Sequence, residues 1–211
     1  VHNAWKSAEP GVLFWDTILR ESVPDCYADL GYRTVSTNPC GEIPLCPYDS
    51  CRLLAINLYS YVVNPFKPDA YFDFDLFKKH VALAQRIMDD IIDLELEKIE
   101  RIMAKIDSDP ENEDVKHTES VLWQKIYKKS GQGRRTGVGI TAEGDMLAAL
   151  GLRYGTEEAT EFAEKVHQTV ALSAYRSSVE MAKERGAFEV YDSEREKNNP
   201  FINRLREADP E

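Results

Sequence analysis

An amide, a thiol and a carboxylate stand at alternate positions in Ser36-Thr37-Asn38-Pro39-Cys40-Gly41-Glu42-Ile43-Pro44, and a further cysteine, Cys51, follows. Pro and Gly in this run prevent regular helix, so the backbone is expected to be extended or looped. On such a backbone alternate side chains point the same way, and Asn38, Cys40 and Glu42 can converge on one small ligand. Three chemistries fit a cysteine so placed. A protease-like nucleophile needs a histidine base; the nearest histidines, His2 and His80, stand in no recognisable pairing context. A dithiol oxidoreductase normally shows C-x-x-C, and the gap from Cys40 to Cys51 is far wider. The third fits better: a cysteine that takes a hydrogen atom, a carboxylate that takes a proton and an amide that orients hydroxyls.

The other cysteines sharpen the choice. Cys26, Cys40, Cys46 and Cys51 are the 4 cysteines of the chain, all in its first quarter. A disulfide framework suits small secreted domains, not an acidic, helix-rich chain of 211 residues without a signal pattern. The spacing holds no zinc knuckle and no histidine lies among the four. Cys46, and to a lesser degree Cys26, read as buried apolar cysteines.

Composition bounds the partners. With 43% hydrophobic residues the chain can bury a core, and a formal charge of −11 argues against holding a nucleic-acid polymer or an anionic membrane by general electrostatics. No apolar run reaches the roughly 20 residues of a membrane span, so a cytoplasmic location is expected. The ends of the sequence suggest a fragment of a longer protein.

The elements that must position the loop are mostly helical. Pro10 precedes a short amphipathic helix over 11–20, and 22–50 reads as one long structured loop. Residues 52–63 are apolar on most sides and fit either a buried helix or a buried strand. The clearest helix runs from Phe72 to about Ile106, with Phe77, Val81, Ala84, Ile87, Met88 and Ile91 on its apolar face and Asp89, Asp90, Asp93, Glu95, Glu97 and Glu100 on a solvated one. A second helix ends near Gly131. The glycines of 131–141 match no phosphate-loop spacing, and Thr136 to Thr141 reads as a short buried strand feeding a helix over 143–150. Gly151 closes that helix, and a long helix follows from Thr156 to about Arg185, closed by Gly186. His167 reads as a packed or half-exposed histidine inside it.

Several blocks, in order, resemble the ribonucleotide reductase large (catalytic) subunit. Asn38-Pro39-Cys40-Gly41-Glu42-Ile43 is similar to its finger-loop motif, and Cys51-Arg52-Leu53-Leu54-Ala55-Ile56-Asn57-Leu58 to the segment after it. Arg134-Arg135-Thr136-Gly137-Val138-Gly139-Ile140-Thr141 with Asp145-Met146-Leu147 also matches, as does Tyr154-Gly155-Thr156-Glu157-Glu158-Ala159 with Met181-Ala182-Lys183-Glu184-Arg185-Gly186-Ala187-Phe188. The resemblance implies part of a ten-stranded α/β barrel threaded by the finger loop, here mainly α with a few short strands, as one unit over 1–211. It implies a thiyl radical at Cys40 that abstracts the ribose 3′ hydrogen, Glu42 as base on the 3′ hydroxyl, Asn38 holding the ribose hydroxyls, and Cys51 as half of a reducing dithiol whose other cysteine the family places upstream. Implied partners are a ribonucleotide and an external dithiol reductant such as thioredoxin, with room for a homodimer. Pro39, Gly41 and Pro44 look more like the adenosylcobalamin-dependent class than the diiron-dependent one. On this reading the isolated chain is expected to lack reductase activity. The competing reading is a non-catalytic helical interaction domain, in which Cys40 would be packed among apolar side chains.

Overall fold

The structure, a computed structural model, describes residues 1–50 and 52–210. They form two compact units: Val1–Cys51 with Asp192–Glu211, and Arg52–Tyr191. No helix is long and apolar enough to cross a membrane among the described residues.

The first unit carries two short helices, α1 (His2–Ser7) and α2 (Trp15–Glu21), then a 3₁₀ segment over Pro24–Leu30. Two short strands, β1 (Ser36–Thr37) and β2 (Pro44–Leu45), pair antiparallel with Ser36 opposite Leu45. The stretch read as one loop thus holds a 3₁₀ turn and a hairpin, both too short to leave a periodic pattern.

In the second unit, the apolar stretch after Cys51 becomes a strand, β3 (Leu54–Asn57), then a 3₁₀ turn over Leu58–Tyr61, then β4 (Val62–Val63), which pairs with β5 (Tyr71–Phe72). Asn57 ends the strand: its side chain accepts from the Tyr59 backbone N–H at 3.0 Å and starts the turn. Helix α3 (Phe74–Ser108) opens on Asp73, whose carboxylate accepts from the Leu76 N–H at 2.9 Å. Helix α4 (Glu113–Gly133) follows, and then β6 (Val138–Thr141) returns to pair parallel with β3, Leu54 opposite Val138 and Asn57 opposite Thr141. Parallel neighbours need a crossover of this kind. Helices α5 (Glu143–Ala149) and α6 (Glu157–Arg185) complete the unit. The chain then returns to the first unit with α7 (Ser193–Glu196) and α8 (Pro200–Ala208).

The architecture is mainly α with short strands. No closed barrel forms among the described residues, where parallel pairing is confined to β3 and β6. The core of the second unit gathers Leu58, Tyr61, Phe72, Phe77, Met146 and Val166 around this pair. Tyr61 and Phe77 meet edge to face with ring centroids 4.9 Å apart.

Two readings of α3 need correction. Ile87 and Ile91 are 43% and 37% exposed, while Met88 and Ile92 are fully buried. Successive helical residues point about 100° apart, so a face centred on 88 and 92 turns 87 and 91 outward. Nor is the acidic face merely solvated. Asp89 pairs with Arg134 at 2.8 Å and Arg185 at 3.0 Å, Asp93 with Arg134 at 2.7 Å, and Asp90 with Arg185 at 2.8 Å. Burial works against the Arg134 charge, but its bonds to Asp89 and Asp93 outweigh this and hold its pKa above the ordinary guanidinium value. Arg134 stands in the left-handed region just after α4, which turns its side chain back onto α3.

Candidate functional site

Residues 38–43 form the tip of the β1–β2 hairpin. The Gly41 N–H donates to the Asn38 carbonyl at 3.0 Å, closing a β-turn over Asn38-Pro39-Cys40-Gly41. Each residue suits its place: Asn at the first position, Pro with its fixed φ at the second, Gly at the fourth. Gly41 has φ +85, and a Cβ there would meet Leu13 Cδ2 at 3.2 Å, so both backbone and space favour glycine.

Asn38 braces the tip from inside. Its Oδ1 accepts from the Ile43 N–H at 2.9 Å, and its own N–H donates to the Ile43 carbonyl at 3.2 Å. The side-chain Nδ2 keeps its donors uncommitted among the described residues. Removing the acceptor should therefore loosen the hairpin, while exchanging only the donor should not. Asn38→Ala is expected to lower stability by about 1 kcal/mol in a denaturant titration, and Asn38→Asp, which keeps an acceptor for Ile43, by less than half of that.

Cys40 occupies the third position of the turn and is exposed, not packed among apolar side chains. Glu42 is exposed on the same tip and has no ion-pair partner among the described residues. The backbone is a turn rather than an extended strand of alternating side chains: Cys40 and Glu42 are exposed on it, while Asn38 turns its oxygen inward to the Ile43 N–H. Cys51 lies outside the described residues. Cys46 is buried, 4% exposed, as expected, and its thiol donates to Asp49 Oδ2 at 3.5 Å. Cys26 is half-buried, and burial pushes its thiol pKa up, which disfavours the thiolate.

The first unit, hairpin included, is tied together by residues whose roles left no mark in the sequence pattern. Asp25 accepts from the Thr34 N–H at 2.9 Å and from its hydroxyl at 2.5 Å. Tyr27 donates its hydroxyl to Glu196 Oε1 at 2.6 Å and accepts from the Asp192 N–H at 3.2 Å; burial first, and Glu196 second, raise the phenol pKa. Asn199 caps α8 through the Ile202 N–H and donates to the Glu21 and Ser22 carbonyls. Side chains that work across a long sequence separation carry no local signature.

A second group lies at the start of β3. Arg52 has only 5% of its side chain exposed. Its Nε pairs with Glu95, its Nη1 donates to the Arg135 carbonyl at 2.9 Å, and its Nη2 donates to Ser130 Oγ at 2.7 Å. Among the described residues no cluster of His, Cys, Asp and Glu could hold a metal ion. His167 is exposed and faces Glu143 at 3.3 Å.

Residues 1–208 match the family model described as ribonucleotide reductase, barrel domain. A vitamin B12-dependent ribonucleoside-diphosphate reductase of Thermoplasma acidophilum is 35% identical over 93% of the chain and 22% of its own length. The enzyme of the same name from Mycobacterium tuberculosis is 31% identical over 91% of the chain and 23% of its own length. The ribonucleoside-diphosphate reductase subunit alpha of Chlamydia pneumoniae is 28% identical over 74% of the chain and 12% of its own length. The chain thus spans less than a quarter of the curated relatives it matches.

Proposed function

The chain belongs to the ribonucleotide reductase family as a match to its barrel domain, and from that premise we propose that it carries the thiol centre at which the full-length protein reduces ribonucleotides to deoxyribonucleotides. The observation that carries this reading is the exposed Cys40 at the apex of a braced turn, with Glu42 beside it on the same tip. A thiol at an open apex can meet both a radical source and a sugar. The Asn38 carboxamide offers its free Nδ2 donors to ribose hydroxyls, and Glu42 offers a carboxylate to the 3′ hydroxyl.

The chemistry closes with two thiols. Cys40, as a thiyl radical, takes the 3′ hydrogen atom. Glu42 accepts the 3′ hydroxyl proton, and the bond from C2′ to its hydroxyl breaks with loss of water. Cys51 and a partner thiol supply two electrons and two protons, a C2′–H bond forms, and the thiols end as a disulfide. Glu42 then returns its proton to the 3′ oxygen, and Cys40 returns a hydrogen atom to C3′ and is regenerated as the thiyl radical. An external dithiol, thioredoxin being the type, reduces the disulfide for the next cycle.

The relatives' names point to cobalamin and to diphosphate substrates. The exposure of Cys40 fits a radical delivered by a separate group, and adenosylcobalamin, when bound, supplies one-electron chemistry of that kind. No residue of this chain is assigned to hold it. A diiron partner subunit is the alternative source.

The test uses the full-length protein with a ribonucleoside diphosphate, adenosylcobalamin and a dithiol. Deoxynucleotide formation is expected from that protein and not from residues 1–211 alone. Cys51→Ser should still exchange the substrate 3′ hydrogen with solvent, because the Cys40 S–H exchanges, yet fail to cycle. A full-length protein that forms no deoxynucleotide with either radical source, or a Cys51→Ser variant that cycles normally, would sink the reading.

A further inference from the structure

The bonds that shape the Cys40 turn are internal to its hairpin. Asn38 to Ile43, Gly41 to Asn38 and Val35 to Leu45 set the fold of the tip, but none of them ties it to the rest of the first unit. Two paired strands of two residues each are too little to hold a tip in place by themselves. Placement needs a contact from outside the hairpin, and Leu13 makes one at Gly41. Where a Cβ would project from that glycine, Leu13 Cδ2 stands 3.2 Å away, and among the described residues no other heavy atom beyond the glycine's chain neighbours lies within 4 Å. The methyl therefore covers the residue that follows Cys40.

Leu13 is itself anchored. It directly precedes Phe14, whose carbonyl accepts from the Ile18 N–H at 3.0 Å as α2 begins. At the other end of α2, Asn199 donates to the Glu21 and Ser22 carbonyls and Arg204 pairs with Glu21 at 2.9 Å, which ties the helix to α8. A path of contacts thus runs from α8 through α2 and Leu13 to the Cys40 turn, all inside the first unit. Little stability comes from its last step. Leu13 is 48% exposed, between Val12 at 55% and Phe14 at 77%, and surface left in water gains nothing on folding. What the contact adds is placement.

Resting on the thiyl chemistry proposed above, we propose that Leu13 is a positioning residue of the hydrogen-atom transfer. Its methyl seats the Gly41 side of the turn and so sets where the Cys40 sulfur stands when it meets the ribose 3′ hydrogen. Leu13 acts through Gly41 and takes no part in the electron balance: at Cys40 the S–H bond forms as the C3′–H bond breaks. Such a transfer needs a short, aligned approach, and a displacement of about 1 Å can cost about 100-fold.

The test uses the full-length protein with a ribonucleoside diphosphate, a radical source and a dithiol. Deoxynucleotide formation and exchange of the substrate 3′ hydrogen with solvent both need Cys40. For Leu13→Ala, kcat and the exchange rate should fall together by about 100-fold. KM should stay within about twofold and the melting temperature within about 2 °C of the unsubstituted protein. Leu13→Met, close to leucine in volume, should restore both rates to within about threefold. Val12→Ala, whose side chain does not reach the same point on Gly41, should leave both unchanged. In a Gly41→Ala background, where the turn is already displaced, removal of the Leu13 side chain should cost far less than in the unsubstituted protein. Should Leu13→Ala fail to fold, Leu13→Val, one methylene shorter, is expected to show the same pattern in smaller measure. Rates that stay within threefold, a rise in KM with kcat unchanged, a product loss without equal loss of exchange, or a loss that tracks the unfolded fraction would overturn the proposal. An unsubstituted protein that shows neither exchange nor product overturns the proposed function instead.

Discussion

Cys40→Ser in the full-length protein is expected to abolish deoxynucleotide formation, by more than about 10⁴-fold, the equivalent of at least about 5 kcal/mol of barrier. Serine is close to cysteine in size and replaces the thiol with a hydroxyl, so nothing in the turn should change. Its O–H bond is far stronger than a thiol S–H bond, so no radical can be installed there to take a hydrogen atom from carbon. The position helps the test: Cys40 is exposed and makes no hydrogen bond among the described residues. Its replacement should move the denaturation midpoint by no more than about 0.5 kcal/mol. Activity and fold are therefore separable in one variant. Exchange of the 3′ hydrogen should vanish with turnover, in contrast to the outcome at Cys51. Ordinary turnover by Cys40→Ser would remove the radical centre from this loop.

Gly137→Ala should have the largest effect on stability. The added methyl would lie inside 3.0 Å of the Arg52 carbonyl, a backbone atom, and 3.4 Å from Leu53 Cδ2. A flexible side chain could swing away, but the Arg52 backbone cannot, because its guanidinium is clamped to Glu95, Ser130 and the Arg135 carbonyl. Relief has to come from parting β3 and β6, and that pair lies at the heart of the second unit. A loss of about 3 kcal/mol is expected, at the upper end for overpacking. Gly139→Ala is the control: the nearest atom to its new methyl is the Leu54 carbonyl oxygen at 3.9 Å, an ordinary contact. Chemical denaturation of both variants decides the matter, and a Gly137→Ala protein within about 1 kcal/mol of the unsubstituted one would contradict the close approach.

The glycine-rich segment shows how far local reading reaches. Its spacing excludes a phosphate loop, and a strand over 136–141 is expected; β6 spans Val138–Thr141. Why position 137 holds glycine is invisible from its neighbours, because the reason is the carbonyl of a residue far earlier in the chain. The stretch after Cys51 is the converse case. Its apolar run allows helix or strand, and pairing with β6 decides for strand. For α3, the helix is legible locally, but its Asp73 cap, which moves the start from Phe72 to Phe74, and the partition between Ile87 and Met88 are settled by the structure, the latter by which face the neighbouring helices and sheet cover.

The sequence by itself determined the order of the candidate groups: Asn38, Cys40 and Glu42 in a run that Pro and Gly keep out of regular helix, with the helical periods, the glycine helix ends and the family blocks. These are properties of neighbours a few positions apart, set by backbone sterics and side-chain period. Only the tertiary structure decided that Asn38 turns its oxygen inward to Ile43, that Asp89 and Asp93 serve Arg134, and that Arg52 is clamped to Ser130. Those outcomes depend on which distant groups the closed chain brings within hydrogen-bonding reach. A buried charge finds its partners only after the fold has excluded water around it.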